Sequence, residues 1–99
     1  MRPKSITVTS ANSPYYYPTN WRGGKMGLTA TPAGAGNYDV AYTNEPIGNG
    51  AANVTDWVDV TDMSAATAQA SKAIDPVTCI RVTLNSGTSV KIDISQSDV

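Results

Sequence analysis

The sequence predicts an all-β fold: a single antiparallel β-sandwich of about six to eight short strands, Ig-like or jelly-roll-like. Three observations support this prediction. Apolar and polar residues alternate with period two in several segments, polar turns rich in glycine and asparagine separate them, and no segment has the apolar stripe of an amphipathic helix. The 99 residues suit one domain, so we expect one sandwich over 1–99 with a frayed tail at 95–99.

The first half of the chain contains three alternating segments, at residues 5–9, 26–31 and 38–43. Pro32 should end the second segment, because proline has no N–H to donate to a neighbouring strand. The glycine-rich "AGAGN" that follows is typical of a chain reversal. We therefore predict that the second and third segments form a hairpin.

The second half begins with an irregular loop that leads into a short strand at 57–61. Residues 64–73, "SAATAQASKA", contain alanines that favour helix but no large apolar residues to dock one, which predicts a surface loop with at most one helical turn. Residues 79–84 and 90–95 then alternate on either side of "NSGTS", which predicts a final hairpin.

The inward phase of these alternations predicts the core. Truncation of a residue in it should leave a cavity and destabilise the fold. The predicted core residues are Ile6, Val8, Leu28, Val40, Ile80, Val82, Leu84, Val90, Ile92 and Ile94.

Charge is distributed unevenly along the chain, although its net value is only −1. Arg2, Lys4, Arg22 and Lys25 precede the first acid, whereas residues 39–62 contain five acids and no base. Such bias is most often solvated surface, but it would also suit docking onto copies of the chain or onto an acidic partner. A nucleic-acid-binding protein usually has a net positive charge, so direct nucleic-acid binding is not expected.

The residue types leave little room for catalysis. Without histidine and with one cysteine, the chain lacks the usual general base, metal ligands and nucleophile dyads. Asp56, Asp59 and Asp62 are the remaining candidates for acid–base chemistry or calcium binding, but no surrounding pattern supports either. We interpret them as an acidic edge that discourages strand pairing, and expect no enzyme, no metal and no cofactor.

A cluster of aromatic residues lies in "NSPYYYPTNWRGG", residues 12–24. Tyr15, Tyr16 and Trp21 could stack sugars or bases beside Arg22 and Lys25. The structural alternative is that aromatics with polar tips fill the end of a sandwich or a contact between subunits. We expect Trp21 to pack inward and Tyr15 and Tyr16 to lie on opposite sides of an extended segment.

Cys79 has no partner for a disulfide within the chain, which fits assembly in a reducing cytoplasm. The first ten residues lead directly into a strand pattern without the apolar core of a signal peptide, and no later segment is long and apolar enough for a membrane helix. We therefore expect a soluble chain with no membrane partner.

Four segments together resemble a family of small all-β proteins encoded in structural gene clusters of tailed bacteriophages. They are, in order, "TVTSANSPYYYPTNW", "YDVAYTNEP", the Trp57 segment and "DPVTCIRVTLNSGTSVKIDISQ". Cys79 stands where the family pattern has alanine, and the alanine-rich 64–73 segment departs from the usual loop of the family. The similarity covers most of the chain through short pieces.

The resemblance implies a non-enzymatic virion protein, either a capsid decoration or auxiliary protein or a head–tail component, assembled in the host cytoplasm. Its expected partners are major capsid or head–tail proteins and copies of itself, with no small-molecule ligand. The alternative is a carbohydrate-binding β-sandwich module of a fibre or cell-surface protein. The candidate interface residues are Tyr15, Tyr16, Arg2, Lys4, Arg22 and Lys25.

Overall fold

The computed structural model of the chain describes residues 4–19, 24–34, 36–48 and 50–96. These residues form eight strands and one short 3-10 turn, Ala51–Asn53, with no α-helix in the described ranges. The strands are β1 Lys4–Val8, β2 Tyr15–Pro18, β3 Met26–Ala33, β4 Tyr38–Thr43, β5 Val58–Asp59, β6 Ala70–Ile74, β7 Cys79–Leu84 and β8 Ser89–Gln96. The predicted all-β fold is confirmed.

The strands form two antiparallel sheets of four. Sheet A has the order β1-β8-β3-β6, and sheet B has the order β2-β7-β4-β5. Among these strands, every connection except that from β4 to β5 crosses from one sheet to the other. Eight strands wound in this way form a jelly roll, so this topology decides between the two predicted kinds of sandwich.

Both predicted hairpins are wrong, although the strands themselves are present. β3 and β4 lie in different sheets, as do β7 and β8. Alternation specifies the inward face of a strand but not its partner, and turns of this length can span the roughly 10 Å between packed sheets. The two crossing turns instead bind each other, because the Asn37 carbonyl accepts the main-chain N–H groups of Asn85 (2.9 Å) and Ser86 (3.3 Å).

Gly36 shows how closely these turns pack. Its φ is +151°, and a Cβ atom at this position would lie 2.2 Å from the Ser86 carbonyl oxygen. No other residue type fits here without moving the second turn. The "AGAGN" segment is therefore a reversal, as predicted, but one that joins two sheets.

Four other predicted boundaries differ in the structure. Residues 70–73, predicted as part of a loop, belong to β6, which pairs with β3. β3 continues through Pro32. Pairing with β6 ends at Ala30, so β3 has a partner strand on one side alone at Pro32, where a proline can be accommodated. The strand predicted at 57–61 is reduced to β5. The predicted frayed tail overlaps β8 at residues 95–96, and residues 97–99 lie outside the described ranges.

All ten predicted core residues are buried, which confirms the assigned phase. The core also includes residues absent from that prediction, namely Met26, Ala30, Tyr38, Val60, Met63 and Val77. Val60 and Met63 come from the segment after β5, which covers the edge of β4. This segment is fixed by main-chain hydrogen bonds from Val60 to the Val40 carbonyl (2.9 Å) and from Val40 to the Met63 carbonyl (2.8 Å).

Candidate interaction surfaces

Part of the predicted site lies outside the described residues, namely Arg2, Arg22 and the nearby Trp21. Lys4 is exposed at the start of β1, and Lys25 is exposed immediately before β3. The Lys25 ammonium lies 3.4 Å from the Asp75 carboxylate, so its charge has a partner within the chain. The interface role of Lys4 and Lys25 stays a prediction.

β2 separates the three consecutive tyrosines by face. Tyr15 and Tyr17 pair with β7 residues that point into the core, whereas Tyr16 pairs with Arg81, which points outward. Tyr17 packs against the core, and Tyr15, at the end of the strand, keeps 43% of its surface exposed. Tyr15 is therefore available at the edge of the sandwich, and Tyr16 is available on the outer face of sheet B.

Tyr16, Trp57 and Arg81 form an aromatic cluster on the outer face of sheet B, hereafter the aromatic cluster. The rings of Tyr16 and Trp57 are 5.8 Å apart between centroids and tilted by 39°. The guanidinium carbon of Arg81 lies 4.8 Å from the Trp57 ring centroid, a cation–π contact. The sequence did not predict this cluster, because only the pairing of β2 with β7 brings Tyr16 and Arg81 together.

The outer face of sheet B is partly covered by its own chain. Ala41, Thr43 and Cys79 point to this face, yet all three are buried. Segment 44–57, described at residues 44–48 and 50–57, begins directly after β4 and ends with Trp57 beside Arg81 on this face. The Glu45 main-chain N–H donates to Thr43 Oγ1 at 3.1 Å and holds the start of the segment against the sheet.

Cys79 is chemically protected in this layer. Burial raises the pKa of its thiol above the ordinary value of 9.0, and hydrogen bonds with the Tyr17 and Ile80 backbone oppose that shift. A neutral, buried thiol is a poor nucleophile and a poor disulfide partner. Cys79 therefore acts as a small, buried apolar side chain of sheet B.

Within the described residues, sheet A has a free edge on each side, because β1 pairs only with β8 and β6 pairs only with β3. Each of these edge strands is five residues long, and neither contains proline. Lys4 is the only charged residue in the sequence from 4 to 18, so the β1 edge has a basic character. Unpaired edges of this kind can accept another strand.

The opposite edge, at β6, lies beside acidic residues. A groove of about 440 Å³ runs along residues 66–72 with Asp62 at its rim, and a second of about 390 Å³ lies between β5 and residues 72–74. Asp62 forms an ion pair with Lys72 at 3.0 Å, while Asp59 is exposed on β5. The two edges of sheet A thus differ in charge as well as in position.

The three candidate acids do not converge on one site. Asp62 pairs with Lys72, Asp59 lies 3.4 Å from the Ser64 hydroxyl, and the Asp56 main-chain N–H donates to the Glu45 carboxylate. No group of three or more His, Cys, Asp or Glu residues with metal-binding geometry is found in the part of the chain that the structure describes. Within the same part, no helix is long and apolar enough to cross a membrane.

Comparison with protein-family models finds no match, and neither does comparison with curated proteins. Among solved structures, the chain is similar to one described by the statement "Bacillus endospore appendages form a novel family of disulfide-linked pili". The TM-score is 0.57 at 12% identity, and the alignment covers 99% of this chain and 87% of the other. At this identity the similarity shows a shared fold.

Proposed function

We propose that this chain is a non-enzymatic structural subunit that associates with copies of itself through the two free edges of sheet A. The observation that carries the proposal is the pair β1 and β6: two edge strands of equal length at opposite sides of one sheet, each without a partner on its outer side among the described residues. β1 brings the positive charge of Lys4, and β6 lies beside Asp59 and Asp62. A strand of one copy can extend the sheet of the next copy.

This contact joins two different edges, so it is heterologous. Heterologous contacts generate rings when the rotation closes and open filaments when it does not. Either product is an assembly of many copies. The structural neighbour supports this type of function by analogy, since it is described as belonging with pili, although fold similarity alone does not transfer a function.

The neighbour's pili are described as disulfide-linked, and here this chain differs. Cys79 is its one cysteine, and the thiol is buried. A cross-link through Cys79 would require the residues that bury it to move away. We therefore propose association of this chain through strand pairing and charge, without covalent links.

For the biological setting we propose a tailed-bacteriophage particle, in which the chain is a capsid decoration or auxiliary protein or a head–tail component. The support is the resemblance of the four sequence segments, together with the frequent use of jelly rolls in viral capsids. Its partners would then be major capsid or head–tail proteins besides its own copies, and assembly would take place in the host cytoplasm.

Charge reversal tests the edge contact. We expect Lys4→Glu or Asp59→Lys to weaken self-association by up to about fivefold, the range for an exposed ion pair. Combining the two changes should restore it. Lys91→Glu is the matched control, because Lys91 lies on the central strand β8 and should leave association unchanged. Sedimentation velocity over a concentration series measures each variant.

Ionic strength separates this contact from an apolar one. Association should weaken between low and high salt, because exposed charges are screened over about 8 to 10 Å at physiological salt. A protein that stays monomeric at every concentration, or a double variant no better than the single ones, would contradict the edge contact. Binding to purified phage heads or tails then tests the proposed setting separately.

A further inference from the structure

The aromatic cluster combines two kinds of recognition group on one face. Tyr16 and Trp57 offer half-exposed rings 5.8 Å apart, and Arg81 lies between β2 and the Trp57 ring with its guanidinium carbon 4.8 Å from the ring centroid. The cluster lies on the outer face of sheet B, away from the sheet A edges. An inference about it is therefore independent of the proposed assembly.

Trp57 is held in place without help from a ligand. Its indole N–H donates to the Val54 carbonyl at 3.1 Å, which satisfies the one polar atom of the ring within segment 44–57. The remaining accessible part of Trp57 is aromatic surface. A fixed ring with no unsatisfied donor suits stacking of a flat or apolar ligand face and loses little conformational entropy on binding.

Arg81 differs from most other cationic side chains of the described residues in having no carboxylate partner there. Lys25, Lys72 and Lys91 each have a carboxylate within 4 Å, whereas Arg81 has no ion pair. One face of its guanidinium is occupied by the Trp57 ring, which leaves donors at the edge of the group to reach a ligand. Guanidinium edges match carboxylates in a bidentate geometry.

We propose that Tyr16, Trp57 and Arg81 bind a carboxylate-bearing sugar such as a uronic acid unit of an acidic polysaccharide. The apolar C–H face of the pyranose stacks on the rings, and the carboxylate pairs with Arg81. This site shares only Tyr16 with the platform expected from the sequence, which combined Tyr15, Tyr16 and Trp21 beside Arg22 and Lys25.

Charge disfavours nucleic acid as the ligand. The chain has a net charge of −1 and residues 39–62 are acidic, whereas binding along a phosphate backbone depends on several neighbouring cations. A protein anchor would need apolar surroundings that exclude water. Instead, the half-exposed outward neighbours Asp39 and Thr83 are polar. A single carboxylate on a sugar ring matches the unpaired cation of this cluster better than either alternative.

Isothermal titration calorimetry with trigalacturonic acid tests the site, with its fully esterified trimethyl ester as the matched ligand that keeps the rings and loses all three charges. We expect saturable binding of the acid and at least about tenfold weaker binding of the ester, since a charge-assisted hydrogen bond contributes roughly 1.5–3 kcal/mol. Arg81→Gln and Tyr16→Ala should each weaken binding of the acid. Arg81→Gln should do so by at least about tenfold for the same reason.

Lys91→Gln is the matched protein control, because it removes one exposed cation from sheet A and should leave binding unchanged. Trp57→Phe keeps a ring if Trp57→Ala disturbs segment 44–57, and it should weaken binding without unfolding the chain. Absence of saturable binding, or equal affinity for acid and ester, would overturn the proposal. So would tighter binding of a thymidine hexanucleotide, or occupation of the cluster by a second copy of the chain.

Discussion

Sheets A and B differ in what covers their outer faces. The outer face of sheet A carries small polar residues such as Ser5, Thr7 and Ser95, which are exposed to solvent. The outer face of sheet B is partly buried, and Thr43 and Cys79 on this face are as inaccessible as core residues. Sheet A is thus a sheet with one buried face, whereas part of sheet B is a middle layer.

Because of this difference, the same kind of substitution should change the stability of the two sheets differently. An outward residue of sheet A can take a charge because water reaches it. A buried outward residue of sheet B, such as Thr43 or Cys79, cannot take a charge in this way, because the charge would be buried without a partner. The free edges of sheet A are then the places where its regular strands remain open to another copy.

The largest contrast is expected for a buried carboxylate. Cys79→Asp should destabilise the fold by roughly 3 to 5 kcal/mol, because it leaves an uncompensated charge at a fully buried position. Thr31→Asp, on an outward position of sheet A paired with Lys91, should change stability by less than about 0.5 kcal/mol. Urea unfolding at pH 7 measures both, and similar losses would show that the two outer faces do not differ.

The inner faces should behave alike. Ile92→Ala in sheet A and Val82→Ala in sheet B should each cost about 2 to 4 kcal/mol, through lost transfer free energy and a residual cavity. Lys91→Ala is the exposed control on β8 and should cost far less. A larger loss for Lys91→Ala than for Ile92→Ala would contradict the observed phase of β8.

Alkaline pH should affect the covered layer through Cys79. Burial raises the pKa of the folded thiol above 9.0, so the unfolded chain releases this proton first. The stability contribution is therefore complete below about pH 9 and is lost as pH rises through the folded pKa. Cys79→Ala should show a shallower fall in stability above pH 9 than the wild-type chain. The same slope in both proteins would contradict this linkage.

The smallest effect is expected where the chain covers the edge of β4. Ala65 adopts a positive φ of 49°, a conformation that disfavours residues with a Cβ, while its N–H donates to the Asp39 carboxylate. Ala65→Gly should stabilise the fold by about 0.5 to 1 kcal/mol. Ala73→Gly, within β6, is the contrasting control and should destabilise. A loss of stability from Ala65→Gly would argue against the left-handed conformation.

Strand positions and inward phase could be predicted from the sequence because alternation is a local signal, as the burial of Leu28 and Ile92 shows. Strand partners could not be predicted in this way, because a hairpin of β7 with β8 and a connection from one sheet to the other bury the same residues. β6 was missed because alanine and serine carry little strand signal without β3 beside them.

The candidate surfaces were less predictable than the fold. Tyr16 stood out as one of a run of aromatic residues, whereas nothing local distinguishes Arg81 from any other outward cation on a strand. Its position beside Trp57 depends on strand pairing and on the return of segment 44–57. The free edges of β1 and β6 similarly follow from the order of strands in sheet A, which a single sequence does not encode locally.

Cross-linking tests the proposed edge contact most directly. In a Cys79→Ala background, Ser5→Cys places a thiol on the outward face of β1, and Ser71→Cys or Ala73→Cys places one on the outward face of β6. Paired edge strands bring such residues within about 5.5 Å, which suits a disulfide. Oxidation should give a ladder of multimers for a variant with one cysteine on each edge, and mainly monomers for each single-cysteine variant. Covalent dimers from Ser5→Cys alone, or no ladder from either double variant, would contradict the head-to-tail assembly.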